Sequence, residues 1–493
     1  MEHLPALQVV VPLLTAPLVV LLRSPGLAWA AATAASVMSF IISVALVGQV
    51  QAAGTISYMM GSWPAPYGIA LLVSSFSALL LLIVTGASTA ALLAGRASND
   101  SAIDHSRQPL FYAAWLIALA GMTGIIVAGD AFNIFVSMEI ASLSGYILIA
   151  AGPDRRALPA VFKYLMMGTI GATFYLIGVG LVYMMTGTLN LADMEARIHE
   201  VSELKPILVA AGFITVGLAL KAAVFPLHGW LANCYTYAPH IVTAFFAACA
   251  TKVSVYVLLR FDFLVFQQNL VAHDVQFSTM FVPLAVLAIL IPSVSALFEQ
   301  NVKRLLAYSS IAQMGYIVLG ASLVSETGLV SRLVHMFSQD LAKGALFLAV
   351  AGLAKQFRGF RNDAIPGDGR TMPWTMAAFT LGGLSLIGVP GTAGFISKWY
   401  LVLAALEQGV GGVLLIVAII AGSLLALVYV WRIVEAAYFG AAASSERVPA
   451  EAPLPLLLVT WLVVLANLYF GFFPDLPVSL SEQAASTLLE HLQ

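Results

Sequence analysis

Five lysines lie inside long apolar stretches of this 493-residue sequence, where a charged side chain is costly. They are Lys163, Lys221, Lys252, Lys343 and Lys398. A lysine at the centre of a lone membrane span costs about 2.5–3.5 kcal/mol to insert, so these side chains are expected to face a protein interior, paired or hydrated. Lys163 lies near a helix end, from which its amine can also reach the surface. A buried salt bridge that only fixes packing is the structural alternative for the other four.

One carboxylate, Glu139, lies in the middle of the otherwise apolar segment GDAFNIFVSMEIASLSGYIL. Opposite charges such as Glu139 and Lys221 would favour each other's ionised forms, whereas burial favours the neutral form of a lysine. A lysine under both influences can change its protonation when its partner moves. Asp130, nine residues before Glu139, is instead expected to cap the start of that helix.

A second polar segment, HMFSQDLAKGALFLAVAG, places His335, Gln339 and Lys343 four residues apart. Residues at this spacing share one face of a helix, and Asp340 can reach Lys343 three residues later. Proton transfer needs titratable or hydrated groups within reach of a water molecule, so this stripe is a candidate relay. A lone histidine in such a helix would more often be a satisfied core residue.

Two apolar segments contain helix breakers close to a lysine. In GLALKAAVFPLHGWL, Pro226 follows Lys221 and leaves the carbonyl of Ala222 without its helical partner. In GVPGTAGFISKWYL, Pro390 and three glycines accompany Lys398. Irregular backbone at membrane depth is tolerated only where it is buried or lines a wet cavity. Paired broken helices are typical of transporters built from inverted repeats.

These residues predict a central row of ionisable groups that translocates protons or other ions. Its members are Glu139, Lys221, Lys252, His335, Lys343 and Lys398, with Lys163, His228, His240, Gln339 and Asp340 as possible auxiliary residues. Neither a nucleophile–base arrangement nor a metal-ligand spacing accompanies the row, so no catalytic site, metal or cofactor is expected. A transporter of organic metabolites is disfavoured because the row offers no arginine clamp or aromatic pocket.

The composition predicts that membrane helices position these residues. Hydrophobic residues make up 61% of the chain and charged residues 9%, against about 25% charged in a typical soluble domain. Recurring apolar stretches of about 18 or more residues predict an all-α integral membrane protein with about fourteen spans. The predicted spans are 6–22, 28–50, 68–93, 110–128, 131–151, 161–186, 207–231, 241–266, 279–298, 304–324, 330–354, 376–404, 410–437 and 454–473. The breaks fall in the seventh and twelfth spans, five apart, so one broken helix would be inverted relative to the other.

Several other features narrow the class of protein. The longest polar stretches, about 187–206 and 355–374, leave no room for a separate soluble domain. The near-neutral net charge gives no sign of nucleic acid binding. Cys234 and Cys249 are too few for an iron–sulfur cluster or a disulfide framework. The N-terminal MEHLPALQ has no basic region, so the first apolar stretch is expected to be a retained span rather than a cleaved signal.

The basic residues between the spans predict the orientation of the chain in the membrane. If the N-terminus faces outward, thirteen of them lie on the inner side: Arg23, Arg96, Arg107, Arg155, Arg156, Lys303, Arg304, Lys355, Arg358, Arg361, Arg370, Arg432 and Arg447. Four lie on the outer side: Arg197, Lys205, Arg260 and Arg332. Because basic residues concentrate in cytoplasmic connections, both termini are predicted to be extracytoplasmic.

Five segments together resemble the antiporter-like subunits of the proton-translocating NADH:quinone oxidoreductase and Mrp superfamily. They are GDAFNIFVSMEI, LALKAAVFPLHGWL, YTYAPHIVTAFFAACATKVSVYVLLRF, NVKRLLAYSSIAQMGYI and GGLSLIGVPGTAGFISKWYL, and the resemblance covers about residues 105–405. It implies a fourteen-helix fold with two inverted five-helix repeats, TM4–8 and TM9–13, in which TM7 and TM12 are broken. The predicted units are 1–104 (TM1–3), 105–266 (first repeat), 279–437 (second repeat) and 454–493 (TM14 and a tail).

The resemblance also implies a hydrated path along the charged row. Glu139 matches the family's glutamate of the fifth span, Lys221 the lysine of the broken seventh and Lys252 the lysine of the eighth. His335 and Lys343 match the pair of the eleventh span, and Lys398 the terminal residue of the twelfth.

Three features look more like the D-type chain of Mrp cation/proton antiporters than like the M-type chain of respiratory complex I. They are the GDxFN motif, the lead-in PLFYAAWLIALAGMTGIIVAGD, and Lys398, where M-type chains usually carry glutamate. The chain departs from the family at His240, where a small residue is usual, and at residues 136–138, where a more aromatic run is usual.

The leading hypothesis is therefore a proton- and cation-translocating subunit of a multisubunit Mrp-type Na+/H+ antiporter in a prokaryotic cell membrane. Such a chain would be a secondary transporter subunit rather than an enzyme, would move H+ and Na+ without a cofactor, and would work with other membrane subunits. The alternative is a proton-pumping M- or N-like subunit of complex I or of an energy-converting hydrogenase. Neighbouring genes would separate the two, because only the second requires quinone-, flavin- or nickel-binding chains.

Overall fold

The computed structural model describes residues 2–99, 103–201, 203–266, 274–323, 325–354, 370–440 and 451–490. Within these ranges the chain forms eighteen α-helices and one two-stranded sheet. Twelve helices are long and apolar enough to cross a membrane. The predicted class, an all-α integral membrane protein, is confirmed.

The first half of the chain is built as follows. The helices are α1 (Leu4–Leu21), α2 (Pro25–Ala53), α3 (Ser75–Asn99), α4 (Gln108–Val127), α5 (Ala131–Ala150), α6 (Ala157–Thr186), α7 (Leu191–Ile198), α8 (Lys205–Lys221), α9 (Leu231–Tyr237) and α10 (His240–Arg260). Strands β1 (Ile56–Met59) and β2 (Ala70–Val73) pair antiparallel between α2 and α3. A π-helical turn, Phe261–Val265, follows α10.

The second half contains eight helices. They are α11 (Asp274–Phe298), α12 (Val302–Ser322), α13 (Glu326–Ala354), α14 (Pro373–Ile387), α15 (Ala393–Leu406), α16 (Val410–Phe439), α17 (Leu454–Phe472) and α18 (Asp475–Glu490).

Two of the predicted spans are interrupted helices. The seventh consists of α8 and α9, separated by residues 222–230 around Pro226, and the twelfth consists of α14 and α15. Gly388 and Gly391 adopt left-handed backbone angles in the second break, with φ of 90° and 88°, which glycine tolerates best. The fourteen predicted spans therefore correspond to twelve continuous helices and two interrupted ones.

A broken helix is the fourth member in each of two sets of five spans. The first set runs from α4 to α10 and the second from α11 to α16. This order agrees with two five-helix repeats. The boundaries 1–104, 105–266, 279–437 and 454–493 as structural units stay predictions.

Four helices form the centre of the bundle. Of the most apolar 18-residue window, 89% of the residues are buried in α4, α10, α12 and α13, against 28% in α1 and α17. A helix that is apolar all round must be surrounded by protein or by lipid, so α1 and α17 are peripheral. The side chains of α10, α12 and α13 are therefore the ones that a buried row can use.

The structure corrects the sequence-based picture at several connections. Residues 70–73 of the predicted third span form β2 instead of helix. The polar stretch 187–206 contains α7, capped where the side chain of Asn190 accepts from the backbone of Asp193, and the predicted tail contains α18. Asp130 caps α5 as predicted, accepting from the backbone N–H groups of Phe132 and Asn133 at 2.9 Å.

Three basic residues assigned to connections are instead buried in helices. Lys303 lies in the first turn of α12, Arg260 ends α10 and Arg332 lies within α13, with relative exposures of 4%, 5% and 2%. Lys355, Arg358, Arg361 and Arg447 lie outside the described residues. The orientation of the chain in the membrane stays a prediction.

Candidate functional site

Lys221 is the last residue of α8, and two side chains of α5 hold its amine. Its Nζ donates to Glu139 Oε1 and to Ser142 Oγ, both at 2.9 Å. Lys221 is buried, whereas 30% of the Glu139 side chain is exposed. The negative end of the α8 dipole also favours a cation here. One ion pair thus joins the break in the seventh span to the fifth span, and its carboxylate reaches the protein surface.

The break after Lys221 is closed by an indole. Trp230, just before α9, donates its Nε1–H to the carbonyl oxygen of Leu220 at 3.0 Å. The backbone N–H of Val224 donates to the carbonyl of Ala219 at 3.0 Å. These bonds satisfy carbonyls that the end of α8 would otherwise leave without partners, and they fix the position from which Lys221 projects.

A cavity of about 30 Å³ lies between this ion pair and α10. Ser142 and Lys221 line it together with Val253 and Ser254 of α10. A water needs about 10–15 Å³ and two to four polar partners. The cavity therefore has room for one or two waters between Lys221 and the helix turn that carries Lys252.

Lys252 and Asp340 form a second ion pair, between α10 and α13. Lys252 Nζ lies 2.9 Å from Asp340 Oδ1 and also donates to the carbonyl of Ala247 at 2.6 Å. Each side chain of the pair is only 4% exposed. The expectation that Asp340 pairs with Lys343 was wrong: three-residue spacing permits that contact, but Asp340 reaches across to the neighbouring helix instead.

Lys343 is held by neutral oxygens of α12. Its Nζ donates to the carbonyl of Leu306 at 3.0 Å and to the hydroxyl of Ser309. Because Asp340 lies three residues away on the same helix, Lys343 is next to the Lys252–Asp340 pair without sharing its carboxylate directly.

His335 has a partner at each ring nitrogen. Nδ1 lies 2.9 Å from Ser397 Oγ, and Nε2 lies 3.0 Å from Gln313 Oε1. The Ser397 hydroxyl also receives a bond from Ser338 at 3.0 Å. Since a hydroxyl can donate or accept, this arrangement accommodates both the neutral ring and the charged ring.

Lys398 lies next to Ser397 in the chain, in α15. Its Nζ donates to the carbonyls of Leu386 and Ile387 at 3.1 and 2.8 Å and to Ser423 Oγ at 2.9 Å. The two carbonyls belong to the end of α14, where helical partners are missing. The amine also lies 4.9 Å from the centre of the Tyr316 ring, a cation–π distance. Both broken helices thus place a lysine at the carboxyl end of a half-helix.

The auxiliary residues fall into different environments. Lys163 is exposed on α6 beside the exposed Phe162, so it lies outside the buried row. His228 stacks on Phe225 within the break of the seventh span, with 5.3 Å between ring centres. Gln339 is fully buried, and neither of its amide atoms has a hydrogen-bond partner within the described protein. His240 lines a polar crevice at one end of the bundle.

The structure therefore brings the six predicted members of the row into one buried band. They follow the order Glu139, Lys221, Lys252, Lys343, His335 and Lys398, with Asp340 added beside Lys252. Such a band can hold and pass protons, because each member either titrates or contacts a hydroxyl, an amide or space for water. Among the described residues, no group of three or more histidines, cysteines or carboxylates could hold a metal ion.

Comparison with known proteins places the chain in a family. Residues 128–426, more than half of the chain, match the family described as NADH:quinone oxidoreductase/Mrp antiporter, TM. The chain belongs to this family. The predicted resemblance is confirmed.

Relatives of two kinds are similar over almost the whole chain. NADH-quinone oxidoreductase subunit N of Desulforudis audaxviator is 38% identical and covers 92% of this chain and 90% of its own length. The D-type chain of the Na(+)/H(+) antiporter of Bacillus subtilis is 29% identical and covers 99% of this chain and 98% of its own length. Both kinds belong to the family, so family membership alone does not single out the antiporter.

Two solved structures share the fold. A chain of the archaeal membrane-bound sulfane sulfur reductase has a TM-score of 0.90 and 30% identity, covering 99% of this chain and 98% of that chain. A chain of the Mrp complex from Dietzia sp. DQ12-45-1b has a TM-score of 0.89 and 26% identity, with the same coverage. The fold is therefore that of membrane subunits from multisubunit complexes.

Sequence reasoning missed the neutral partners of the row. They are Ser142, Ser309, Gln313, Ser338, Ser397 and Ser423. One signal was available: Ser309 and Gln313 lie four residues apart within an apolar span, so they share a helix face. Nothing in the one-dimensional pattern indicates which lysine a given hydroxyl meets.

Proposed function

We propose that this chain is the proton- and cation-translocating subunit of a multisubunit Mrp-type Na+/H+ antiporter, a secondary transporter subunit and not an enzyme. The observation that carries the proposal is the buried band of four lysines, one histidine and two carboxylates that runs from α5 to α15. Burying this many ionisable groups is costly unless their charge is used or compensated, and intramembrane ionisable residues are by default functional.

Protons move along the band by exchange between neighbours. When Lys221 gives a proton to water in the adjoining cavity, its amine becomes neutral and the Glu139 carboxylate loses its counter-charge. A carboxylate without its counter-charge takes up a proton more readily. Because the Glu139 side chain is 30% exposed, that proton comes from outside the band, and the pair is restored.

His335 carries protons between the middle of the band and its far end. Its ring contacts Ser397, which precedes Lys398, so one hydroxyl lies between the two titratable residues. Gln339 lies one turn from both His335 and Lys343, and hydration is what would satisfy its amide at this buried position. No cofactor takes part, and the transported ions are H+ and Na+.

The chain acts within a hetero-oligomeric complex in a prokaryotic cell membrane, with both termini extracytoplasmic. The partly exposed Glu139 leaves one end of the band at the surface of the bundle, where a neighbouring subunit can cover it. The match to chains from multisubunit membrane complexes supports this. Reconstituted alone, the chain is expected to be inactive.

A second function is favoured by one observation. The 38% identity to a subunit N supports a proton-pumping membrane subunit of respiratory complex I, or of an energy-converting hydrogenase, without its own redox site. The band would serve this function equally well, since proton movement along it does not depend on what drives it.

Vesicles decide between the two functions. The chain is expressed with the products of its neighbouring genes in cells that lack their own antiporters, and inverted vesicles are given a pH gradient. In an antiporter, added Na+ dissipates the gradient, and Lys221→Ala abolishes the response at normal abundance. Proton movement only when an electron donor is supplied would establish the redox-driven function instead. If neither Na+ nor a donor moves protons, or if Lys221→Ala behaves as the parent does, proton translocation by this band is excluded.

A further inference from the structure

A polar crevice of about 570 Å³ lies at one end of the bundle, where three connections meet. The connections are those between α5 and α6, between α9 and α10, and between α11 and α12. Each follows an odd-numbered span, so all three lie on the same side of the membrane. The distribution of basic residues predicts that this side is the cytoplasm.

Charged residues at the crevice are paired at its rim. Arg156 lies 2.8 Å from Asp154 and stacks over Tyr237 at 5.0 Å, and Arg304 lies 3.2 Å from Glu299. The hydrogen bond from Arg156 lowers the pKa of Asp154, so this carboxylate stays ionised at neutral pH. The rim pairs compensate each other and leave a water-accessible mouth.

Two further basic residues line the crevice, His240 and Lys303. Lys303 is only 4% exposed, and its Nζ donates to the carbonyl of Ala238 at 2.7 Å. Ala238 is two residues before His240, so the lysine amine lies beneath the turn that carries the histidine. A lysine in this position separates the polar crevice from the interior of the bundle.

The helix that carries Lys303 leads to the middle of the band. Lys303, Leu306, Ser309 and Gln313 follow each other at three- and four-residue spacing on α12, which places them along one face. The Leu306 carbonyl and the Ser309 hydroxyl bind Lys343, and the Gln313 amide binds His335. Lys303 is about 4.5 Å along the helix axis from Leu306, at 1.5 Å per residue.

We propose that Lys303 and His240 form the proton-exchange site that connects the band to the aqueous phase at this crevice. A proton from water in the crevice binds the neutral amine of Lys303, which becomes charged, and passes along the α12 face to Lys343 or His335, which returns Lys303 to its neutral form. The reverse sequence releases a proton into the crevice. This inference rests on the proposed function, and it adds a route between the band and the solvent.

The first test compares variants of Lys303 within the assembled complex in vesicles. Lys303→Gln should slow proton translocation per complex about tenfold or more, since a positioned proton carrier is worth about 10²–10⁴-fold. The loss should be greatest at alkaline pH, where free protons are scarce. Lys303→His should restore part of the rate, with its optimum moved toward acid. His240→Asn should slow translocation in the same direction as Lys303→Gln. Arg155→Gln, an exposed change in the same connection as Arg156, is the matched control and should leave the rate unchanged.

A purely structural lysine gives a different result. If Lys303 only fastened the α9–α10 turn to α12, Lys303→Gln would lower the amount of assembled complex but leave the rate per complex and its pH profile as in the parent. That outcome overturns the proposal. Lys221→Ala is measured in the same vesicles: if it abolishes transport while Lys303→Gln does not change it, the exchange site fails and the proposed function stands.

The second test closes the crevice from outside. Gln300→Cys places a thiol in the exposed part of the lining, in a background where the buried Cys234 and Cys249 are replaced by alanine. A bulky membrane-impermeant maleimide applied to this side should block translocation. The same treatment of Ser24→Cys, in the α1–α2 connection on the same side, should not. Full activity of the labelled Gln300→Cys complex would rule the crevice out as a route.

Discussion

Each buried lysine of the band is stabilised by a different set of atoms. Lys221 and Lys252 each contact a carboxylate, whereas Lys343 and Lys398 contact only carbonyl and hydroxyl oxygens among the described residues. A carboxylate favours the charged amine more strongly than neutral oxygens do. Charge is therefore held most firmly at the α5 and α10 positions, and a proton is released more easily toward α15.

A lysine that carries protons differs from one that only supplies charge. We predict that Lys221→Arg keeps the ion pair with Glu139 and normal abundance in the membrane but loses proton translocation, because arginine does not release its proton at accessible pH. The rate per complex in vesicles measures this. Lys205→Arg, an exposed change at the start of the same helix, should keep full activity. Near-normal transport in Lys221→Arg would show that the lysine is a fixed charge.

The two helix breaks create the positions that the lysines use. Proline and glycine located both breaks in the sequence, because proline cannot donate a backbone hydrogen bond and glycine tolerates left-handed angles. The contacts across the breaks were not predictable. The Trp230 indole that closes the first break, and the Lys398 amine that binds the end of α14 in the second, depend on how the half-helices pack.

The second break depends on a close approach at Gly394. A Cβ at this position would overlap the carbonyl oxygen of Ser385, whose side chain also accepts the Gly394 N–H at 3.2 Å. We predict that Gly394→Ala moves α15 away from α14 and destabilises the protein by about 1–3 kcal/mol, the usual cost of overpacking. Thermal unfolding in detergent measures the loss, and transport per molecule should fall too, because Lys398 loses its carbonyl partners.

The control for this substitution is a glycine in open surroundings. A Cβ added to Gly212 of α8 would have no atom within 4 Å, so Gly212→Ala should leave stability unchanged or raise it slightly, since alanine is the better helix former. Equal stability of Gly394→Ala and Gly212→Ala would show that the half-helices do not need this contact.

At the scale of the molecule, the sequence predicted the helices and the members of the band but not the pairing between its halves. Apolar length predicts spans, and the cost of a charge in lipid predicts that lysines turn inward. Which carboxylate meets which lysine depends on helix packing. Asp340 had an apparent partner three residues away on its own helix, yet it pairs with Lys252 of α10. Lys303 was assigned to a surface connection because it lies close to a span end, and only the packing of the α9–α10 turn buries it.

The Lys252–Asp340 pair connects the two predicted repeats, since α10 is the last helix of one and α13 the third span of the other. We predict that Asp340→Asn alone destabilises the protein by about 3–5 kcal/mol, because it leaves a buried charge without its partner. Adding Lys252→Met should recover most of that stability, since neither charge then remains, but it should not recover transport, which needs a titratable group at this point of the band. The midpoint of thermal unfolding and the transport rate per complex therefore separate in the double variant. Asp193→Asn, which breaks the partly exposed pair with Arg197 on α7, is the control and should change stability by no more than about 1 kcal/mol. Normal transport in the double variant would mean that the pair only fastens the two halves together and that protons pass the junction between them by another route.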